Sequence, residues 1–157
     1  MAFRAWEGVD FDKLERLDDP QRVRDVHLDM LTIYRHPKDN TARRFLHATI
    51  LALGHLKERR AMGPLAELAQ DSTLKELFVW FREDAVRSLG KIIVIGARDV
   101  LYSVFEHAEP DQWPLRIAVV EALAEANDSG ILAKVEYYTR DERRPHARKK
   151  MEQRLSV

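Results

Sequence analysis

The sequence predicts an all-α fold, in the form of a right-handed α-solenoid of about four helical hairpins. Apolar residues recur with a period near 3.6, and no strand-like alternation continues for more than a few residues. A motif of small residue, leucine and small residue occurs three times and ends at Gly54, Gly90 and Ala124. The copies therefore lie 36 and 34 residues apart. That period is typical of repeat proteins built from helix pairs.

The composition fits one domain that covers residues 1–157, because no linker rich in Gly, Ser or Pro divides the chain. There are 26 basic and 26 acidic residues, so the formal net charge is zero. A global field that would attract nucleic acid or an anionic membrane over distance is thus not expected. The chain has no cysteine, which excludes thiolate catalysis and cysteine-bound zinc.

The expected location is the cytoplasm, as a soluble protein without membrane contact. The first residues carry charges such as Arg4 and Glu7, so they lack the apolar core of a secretory signal. Apolar runs such as Ile50 to Leu53 and Ile92 to Ile95 are far shorter than the roughly 20 residues that span a bilayer.

The first elements follow from apolar spacing and capping residues. Phe11, Leu14 and Leu17 share one face of a short amphipathic segment, which we predict to be an N-terminal capping helix. Asp19-Pro20 then provides an N-cap and a proline in the first turn of a helix over about 20–35.

The later boundaries follow the same rules. His36-Pro37 ends the helix over 20–35, and Asp39-Asn40 caps a helix over about 41–57. The remaining helix boundaries are predicted at Gly63-Pro64, Asp71-Ser72, Asp111, Asp128-Ser129 and Arg144-Pro145. Nine helices result, namely the capping helix and eight helices that pair into four hairpins at about 20–57, 61–95, 97–127 and 129–157.

The repeated residues resemble HEAT repeats, in particular the bacterial type related to phycobilisome-lyase repeats. In that pattern the second helix of each hairpin has an Asp, then an Arg, an Ala and a small-residue–Leu–Gly close. The three matches are Asp39, Arg44, Ala48 and Leu53-Gly54; Asp71, Arg82, Ala85 and Leu89-Gly90; and Asp111, Arg116, Ala118 and Leu123-Ala124. Together they cover about 120 residues.

The resemblance implies a specific role for each repeated residue. The Asp would cap the second helix, the small residues would let neighbouring helices approach closely, and the leucine would fill the seam. The longer interval after Asp71 predicts an extended helix over about 73–94. The last hairpin, Ile131 to Leu155, keeps Arg148 but lacks the Ala and Gly, and is predicted to be a capping repeat.

The resemblance also implies that the second helices line a concave face, and the register selects the side chains on that face. These residues recur in steps of three or four along each helix. The predicted partner-binding residues are Arg44, His47, Leu51, Trp80, Glu83, Arg87, Lys91, Trp113, Ile117 and Glu121.

The main functional prediction is a non-catalytic adaptor or scaffold that binds another protein or a peptide segment on this face. Trp and Arg are enriched in the residues that dominate binding energy at interfaces. Two alternatives stay open for Trp80 and Trp113, because aromatic residues at helical spacing also pack in cores. The charged residues are equally compatible with an ordinary solvated face.

Two other functions are alternatives. A nucleic-acid-binding module would use the basic C-terminal residues, namely Arg140, Arg143, Arg144, Arg148, Lys149, Lys150 and Arg154, together with Arg43 and Arg44. An accessory subunit of an enzyme, similar to bilin lyases, would need a tetrapyrrole-sized pocket that the sequence does not predict.

No catalytic, metal or cofactor site is predicted. His47 and His55 lie eight residues apart on one helix, about 12 Å along its axis, which is too far for one metal ion. Nucleophile and phosphate-binding motifs such as GxSxG and GxGxxG do not occur. Ser88, inside the second repeated motif, is predicted to be a packing residue.

Overall fold

A computed structural model describes residues 20–74, 78–92, 96–109, 111–126, 133, 136–137, 139–140 and 145–155. Every regular element in these ranges is helical, which confirms the all-α prediction for them. The elements are α1 (Pro20–Ile33), α2 (Asn40–His55), a 3-10 turn (Arg59–Ala61), α3 (Met62–Gln70), α4 (Val79–Ile92), α5 (Ala97–His107), α6 (Trp113–Glu125) and α7 (Pro145–Leu155). The predicted capping helix, and Asp128-Ser129 before the fourth hairpin, lie outside the described residues.

The helices pack in the order that the predicted hairpins require. Helix α1 packs on α2, α3 on α4, and α5 on α6, so each of the first three hairpins is formed. The second helices also pack on each other, α2 on α4 and α4 on α6, and α7 packs on α6. The core between them contains fully buried leucines, among them Leu53, Leu65 and Leu89. Burial of such a side chain stabilises the fold by roughly 1.5–3 kcal/mol.

Glycines lie at close contacts between the second helices. A Cβ atom on Gly54 would lie 2.5 Å from Ser88 Oγ, and one on Gly90 would lie 2.6 Å from Ala122 Cβ. No side chain fits in either place, so the backbones of α2 and α4, and of α4 and α6, come together at these points. Ser88 is buried and its hydroxyl donates to the carbonyl of Ile50 at 2.8 Å. The predicted packing role of Ser88 is therefore confirmed.

Two arginines of the repeated motif make equivalent contacts in successive hairpins. Arg82 Nε donates to the carbonyl of Ala69 at 2.9 Å, near the end of α3. Arg116 Nη2 donates to the carbonyl of Ala108 at 3.2 Å, directly after α5. Each guanidinium thus satisfies a carbonyl that the end of the first helix leaves without an intrahelical partner. The same side chain ties the two helices of its hairpin together.

The capping prediction is right for one aspartate and wrong for two. Asp39 Oδ1 accepts the backbone N–H of Ala42 at 2.7 Å and caps α2. Asp71 instead accepts the N–H and hydroxyl of Thr73 and pairs with Arg35. The N-cap of α6 is Gln112, whose side chain makes no capping bond, and Asp111 is exposed one residue earlier.

The predicted extended helix over 73–94 is also wrong. Residues 72 and 73 form a turn, Leu74 is not helical, and α4 begins only at Val79. The bonds of Asp71 to Thr73 hold this turn, since an aspartate that binds the backbone two residues ahead competes with helix formation. The helices predicted over 20–35 and 41–57 each end two residues earlier than expected, at Ile33 and His55.

Gly96 separates the second and third hairpins. Its φ of 99° lies in the left-handed region, which residues with a Cβ rarely adopt. The residue directly precedes α5 and occupies its N-cap position.

Candidate interaction face on the second helices

Helix α4 supplies the centre of the candidate site. Trp80, Asp84, Arg87 and Lys91 follow each other at intervals of four, three and four residues, so they form one stripe along this helix. Because α4 packs between α2 and α6, the stripe borders a second helix on both sides. We call the surface formed by this stripe and the neighbouring residues of α2 and α6 the interaction face.

Ion pairs cross the interaction face from helix to helix. His47 Nδ1 lies 2.6 Å from Asp84 Oδ2, Arg87 Nε lies 3.5 Å from Glu121 Oε2, and Lys91 Nζ lies 3.2 Å from Glu125 Oε1. Several charged residues that the sequence predicts to bind a partner therefore already bridge neighbouring helices. The Lys91–Glu125 pair is well exposed and contributes about 0–1 kcal/mol.

The His47–Asp84 pair is the closest of the three. The carboxylate of Asp84 is nearly buried, whereas the His47 side chain is 53% exposed. The hydrogen bond to Asp84 raises the pKa of His47 above its ordinary value, and partial burial of the imidazole opposes that shift. The imidazolium form is therefore favoured beside Asp84.

Glu83 lies next to the stripe and has a different environment. Burial raises the pKa of this carboxyl, and the charge of Arg87 opposes the rise. It lines a surface pocket of ≈ 420 Å³ between the start of α4 and the start of α6, together with Val79, Gln112 and Pro114.

The first of two aromatic pockets on the interaction face, here called the Trp80 pocket, lies where α2 and α4 begin. It has a volume of ≈ 380 Å³ and is lined by Asn40, Arg43, Arg44, His47, Trp80, Phe81 and Asp84. Trp80 is 62% exposed, so it is not a core residue. Of the two alternatives for this side chain, the structure selects the surface position.

The Trp113 pocket lies between α4, α6 and α7. It has a volume of ≈ 470 Å³ and is lined by Arg87, Trp113, Pro114, Ile117, Glu121, Lys150 and Gln153. Trp113 is partly buried and packs against the core, with the ring of His146 edge-on at 5.4 Å. Lys150 Nζ lies 5.5 Å from the centre of the indole, a cation–π distance. Trp113 is thus both a packing residue and a pocket wall.

The remaining predicted residues contribute less to the two pockets. Ile117 is 8% exposed and belongs to the core, although it also borders the Trp113 pocket. Leu51 is half-buried on α2, and Lys91 is held in its pair with Glu125. Arg44 is exposed at the rim of the Trp80 pocket.

Seven residues that line the two pockets were not in the predicted set: Asn40, Arg43, Phe81, Asp84, Pro114, Lys150 and Gln153. The repeat spacing could have indicated Asp84, because oppositely charged residues one repeat apart pair with each other. Arg87 pairs with Glu121 and Lys91 pairs with Glu125, and each pair is separated by 34 residues. His47 and Asp84 follow the same rule at 37 residues. Lys150 and Gln153 come from α7, whose position on α6 the repeat pattern does not predict.

The basic C-terminal region is described only in part. Arg148, Lys149 and Lys150 are exposed on α7, and Arg148 pairs with Glu152 four residues later at 3.1 Å. Arg143, Arg144 and the side chain of Arg154 lie outside the described residues.

Within the described ranges, His, Asp and Glu side chains form no group of three or more that could hold a metal ion. No helix in the same ranges has the length and apolar character needed to cross a membrane.

No protein family, curated protein or solved structure matches this chain.

Proposed function

We propose that this chain is a right-handed HEAT-like α-solenoid and a cytoplasmic, non-catalytic adaptor that binds a segment of another protein on the interaction face. Three observations support the solenoid: the packing of each second helix on the next, the glycines at both seams, and the matching bonds of Arg82 and Arg116. Stacked hairpins of this kind present a continuous face for a partner.

The exposed Trp80 beside a pocket is the observation that carries the adaptor function. A large aromatic side chain that is 62% exposed gains contact area on binding. The arginines at the same pocket add charged donors, and Trp and Arg are the residue types that most often dominate interface energies. The ion pairs across the helices hold the surrounding surface in place, which reduces the entropy lost on binding.

Affinity capture with the immobilised full chain, using extract of the native cell and mass spectrometry, tests this function. Trp80→Ala should reduce capture of a specific partner by about tenfold or more, with the thermal melt almost unchanged because the indole is exposed. Tyr137→Ala is the matched control, since Tyr137 is another exposed aromatic residue at 66%. Equal capture by wild type and Trp80→Ala contradicts the proposal.

Nucleic-acid binding through α7 is a second candidate, because three consecutive cations, Arg148, Lys149 and Lys150, are exposed there. Replacement of all three by Glu should abolish salt-sensitive binding of a labelled DNA or RNA oligonucleotide in a gel-shift experiment. If wild type gives no shift, or the triple variant gives the same shift, this candidate fails.

A further inference from the structure

A polar pocket of ≈ 270 Å³ lies where α3 and α5 end, and we call it the Arg82 pocket. Of the residues that the structure describes, none lines both this pocket and either aromatic pocket of the interaction face. Polar side chains form most of its wall, among them Gln70, Ser72, Arg82, Ser103, His107 and Gln112. The pocket is therefore a separate place at which a polar ligand can be recognised.

Arg82 is the buried cation of this pocket. The residue is only 4% exposed, although it is part of the pocket wall. A guanidinium has five N–H donors. Nε donates to the carbonyl of Ala69 at 2.9 Å, and Nη1 lies 3.5 Å from Gln112 Oε1, at the limit of a hydrogen bond. The other donors on Nη1 and Nη2 have no hydrogen-bond partner among the described residues.

The charge of Arg82 is only partly compensated by carboxylates. Within the described part of the chain no carboxylate forms an ion pair with this guanidinium, and Asp71 is already bonded to Arg35 at 2.8 Å. Burial lowers the pKa of Arg82, and the charges of Asp71 and Glu109 oppose that shift without cancelling it. An anion that reached the free donors would thus stabilise a charge that is costly to bury.

Arg116, the equivalent arginine of the next hairpin, has a different environment. Its guanidinium lies 5.2 Å from the centre of the Phe105 ring, and its Nη2 donates to the carbonyl of Ala108. An aromatic ring therefore lies against Arg116, whereas a polar pocket lies against Arg82. The pocket belongs to the second hairpin and is not a consequence of the repeat alone.

Ser103 supplies a neutral donor to the same pocket. His107 Nδ1 lies 2.8 Å from the carbonyl of Ser103, and a carbonyl only accepts, so Nδ1 carries a proton. The Ser103 hydroxyl lies 3.5 Å from the same nitrogen and is an acceptor there. Its own O–H proton therefore remains available to a ligand.

The charges of the pocket favour a ligand with one negative charge. A carboxylate accepts two parallel hydrogen bonds from a guanidinium, and such charge-assisted bonds are among the strongest in proteins. Glu109 also lines the pocket, and its charge repels a doubly charged phosphate more than a single carboxylate. The volume is below the roughly 300–1,000 Å³ of common ligand pockets, so a small acid or the end of a chain fits best.

We propose that the Arg82 pocket binds the carboxylate of a small organic acid or of a peptide C-terminus, with Arg82 as its cation and Ser103 as a hydroxyl donor. This inference goes beyond the adaptor function and does not depend on it. Glu109 weakens the binding by repulsion, which gives the proposal a test with two opposite signs.

Titration of the isotope-labelled full chain with sodium propionate, followed by NMR at constant ionic strength, tests the inference. Backbone amide signals of the pocket residues Ser72, Ser103 and Gln112 should move and reach saturation. Propionamide has a similar shape without the charge and is the matched control, so it should leave these signals in place. Sodium phosphate should bind more weakly than propionate.

Three variants assign the bound carboxylate to the pocket. Ser103→Ala should raise the Kd for propionate by about threefold or more, because one hydrogen bond is lost. Glu109→Gln should lower the Kd by about threefold, because the repelling charge is removed. Glu152→Gln, at an exposed carboxylate on α7, should leave the Kd unchanged. Arg82→Gln should abolish binding, and the other variants keep the test valid if loss of the bond to Ala69 unfolds that protein.

The outcomes separate the two sources of the carboxylate and decide the inference. A short peptide with a free C-terminus that binds more tightly than both propionate and its own C-terminal amide indicates a chain end. Equal or weaker binding of that peptide indicates a small organic acid. The inference is overturned if propionate moves no pocket signal, if propionamide or phosphate binds as well as propionate, or if Ser103→Ala and Glu109→Gln bind propionate like wild type. Capture of a partner through Trp80 is measured separately, so none of these results decides the adaptor function.

Discussion

Individual polar residues inside the helices decide how this chain responds to pH. His27 is 1% exposed on α1, and burial lowers its pKa from 6.5 to about 4. His47 has the opposite environment, since Asp84 raises its pKa. The two histidines therefore contribute to pH dependence with opposite signs.

We expect His27 to destabilise the fold in acid. Between pH 6.5 and about 4 the unfolded chain binds a proton at this residue and the folded chain does not, so stability falls as the pH is lowered through that window. The full shift corresponds to at most about 3 kcal/mol. Urea unfolding of wild type and His27→Leu at several pH values in this window measures it, and parallel pH dependences for the two proteins would falsify the prediction.

The pKa of His47 should lie above its ordinary value and should fall in Asp84→Asn, because the amide carries no charge. The pair stabilises the fold at low pH, and this contribution is lost as the pH rises through the folded-state pKa. Titration of the imidazole by NMR in wild type and in Asp84→Asn tests this directly. An unchanged titration of His47 in Asp84→Asn contradicts it.

The helix ends show that tertiary contacts can override the capping preferences of the local sequence. The sequence predicts Asp39, Asp71 and Asp111 as equivalent caps, yet only Asp39 caps its helix. Asp71 binds Thr73 and Arg35. Arg35 comes from the preceding hairpin, so its approach depends on the fold and not on the spacing along the chain.

Removal of the aspartate that caps its helix should lower the free energy of unfolding, whereas removal of an aspartate that makes no capping bond should leave it almost unchanged. Asp39→Ala removes the bond to Ala42 N–H and should lower the free energy of unfolding by about 1 kcal/mol. Asp111→Ala, at an exposed residue without a capping bond to α6, should change it by less than about 0.5 kcal/mol. Urea unfolding followed by circular dichroism measures both, and equal losses contradict the assignment.

At the scale of the whole molecule, the sequence predicted the all-α class and the contacts between neighbouring second helices of the described residues. The spacing of Gly54 and Gly90 indicated where neighbouring second helices meet, and the structure places both at close backbone contacts. The period could not indicate how far each helix rotates about its axis. That rotation decides that Trp80 is exposed while Trp113 packs partly in the core.

The site was predicted less completely for the same reason. The register identified most of the stripe on α4, but it selected Glu83 where the structure has Asp84 as the partner of His47. The first two motif copies are 36 residues apart, whereas His47 and Asp84 are separated by 37 residues. The contribution of Lys150 to the Trp113 pocket requires α7 to fold back on α6, which no repeated motif encodes.

Nesting of the second helices at glycine seams is the claim on which the interaction face depends, and one pair of variants tests it most directly. Alanine in place of glycine within a helix ordinarily stabilises it by about 1 kcal/mol. Gly63→Ala, where a Cβ meets nothing within 4 Å outside the adjacent residues, should gain less than this, because a Cβ on the residue before Pro64 is disfavoured in the helical region. Gly90→Ala should instead destabilise the fold by about 1–3 kcal/mol, because the new methyl group would lie 2.6 Å from Ala122 Cβ. A clear loss of unfolding free energy in urea for Gly90→Ala, with Gly63→Ala close to wild type, is the predicted result, and a Gly90→Ala protein at least as stable as wild type would contradict the nested arrangement.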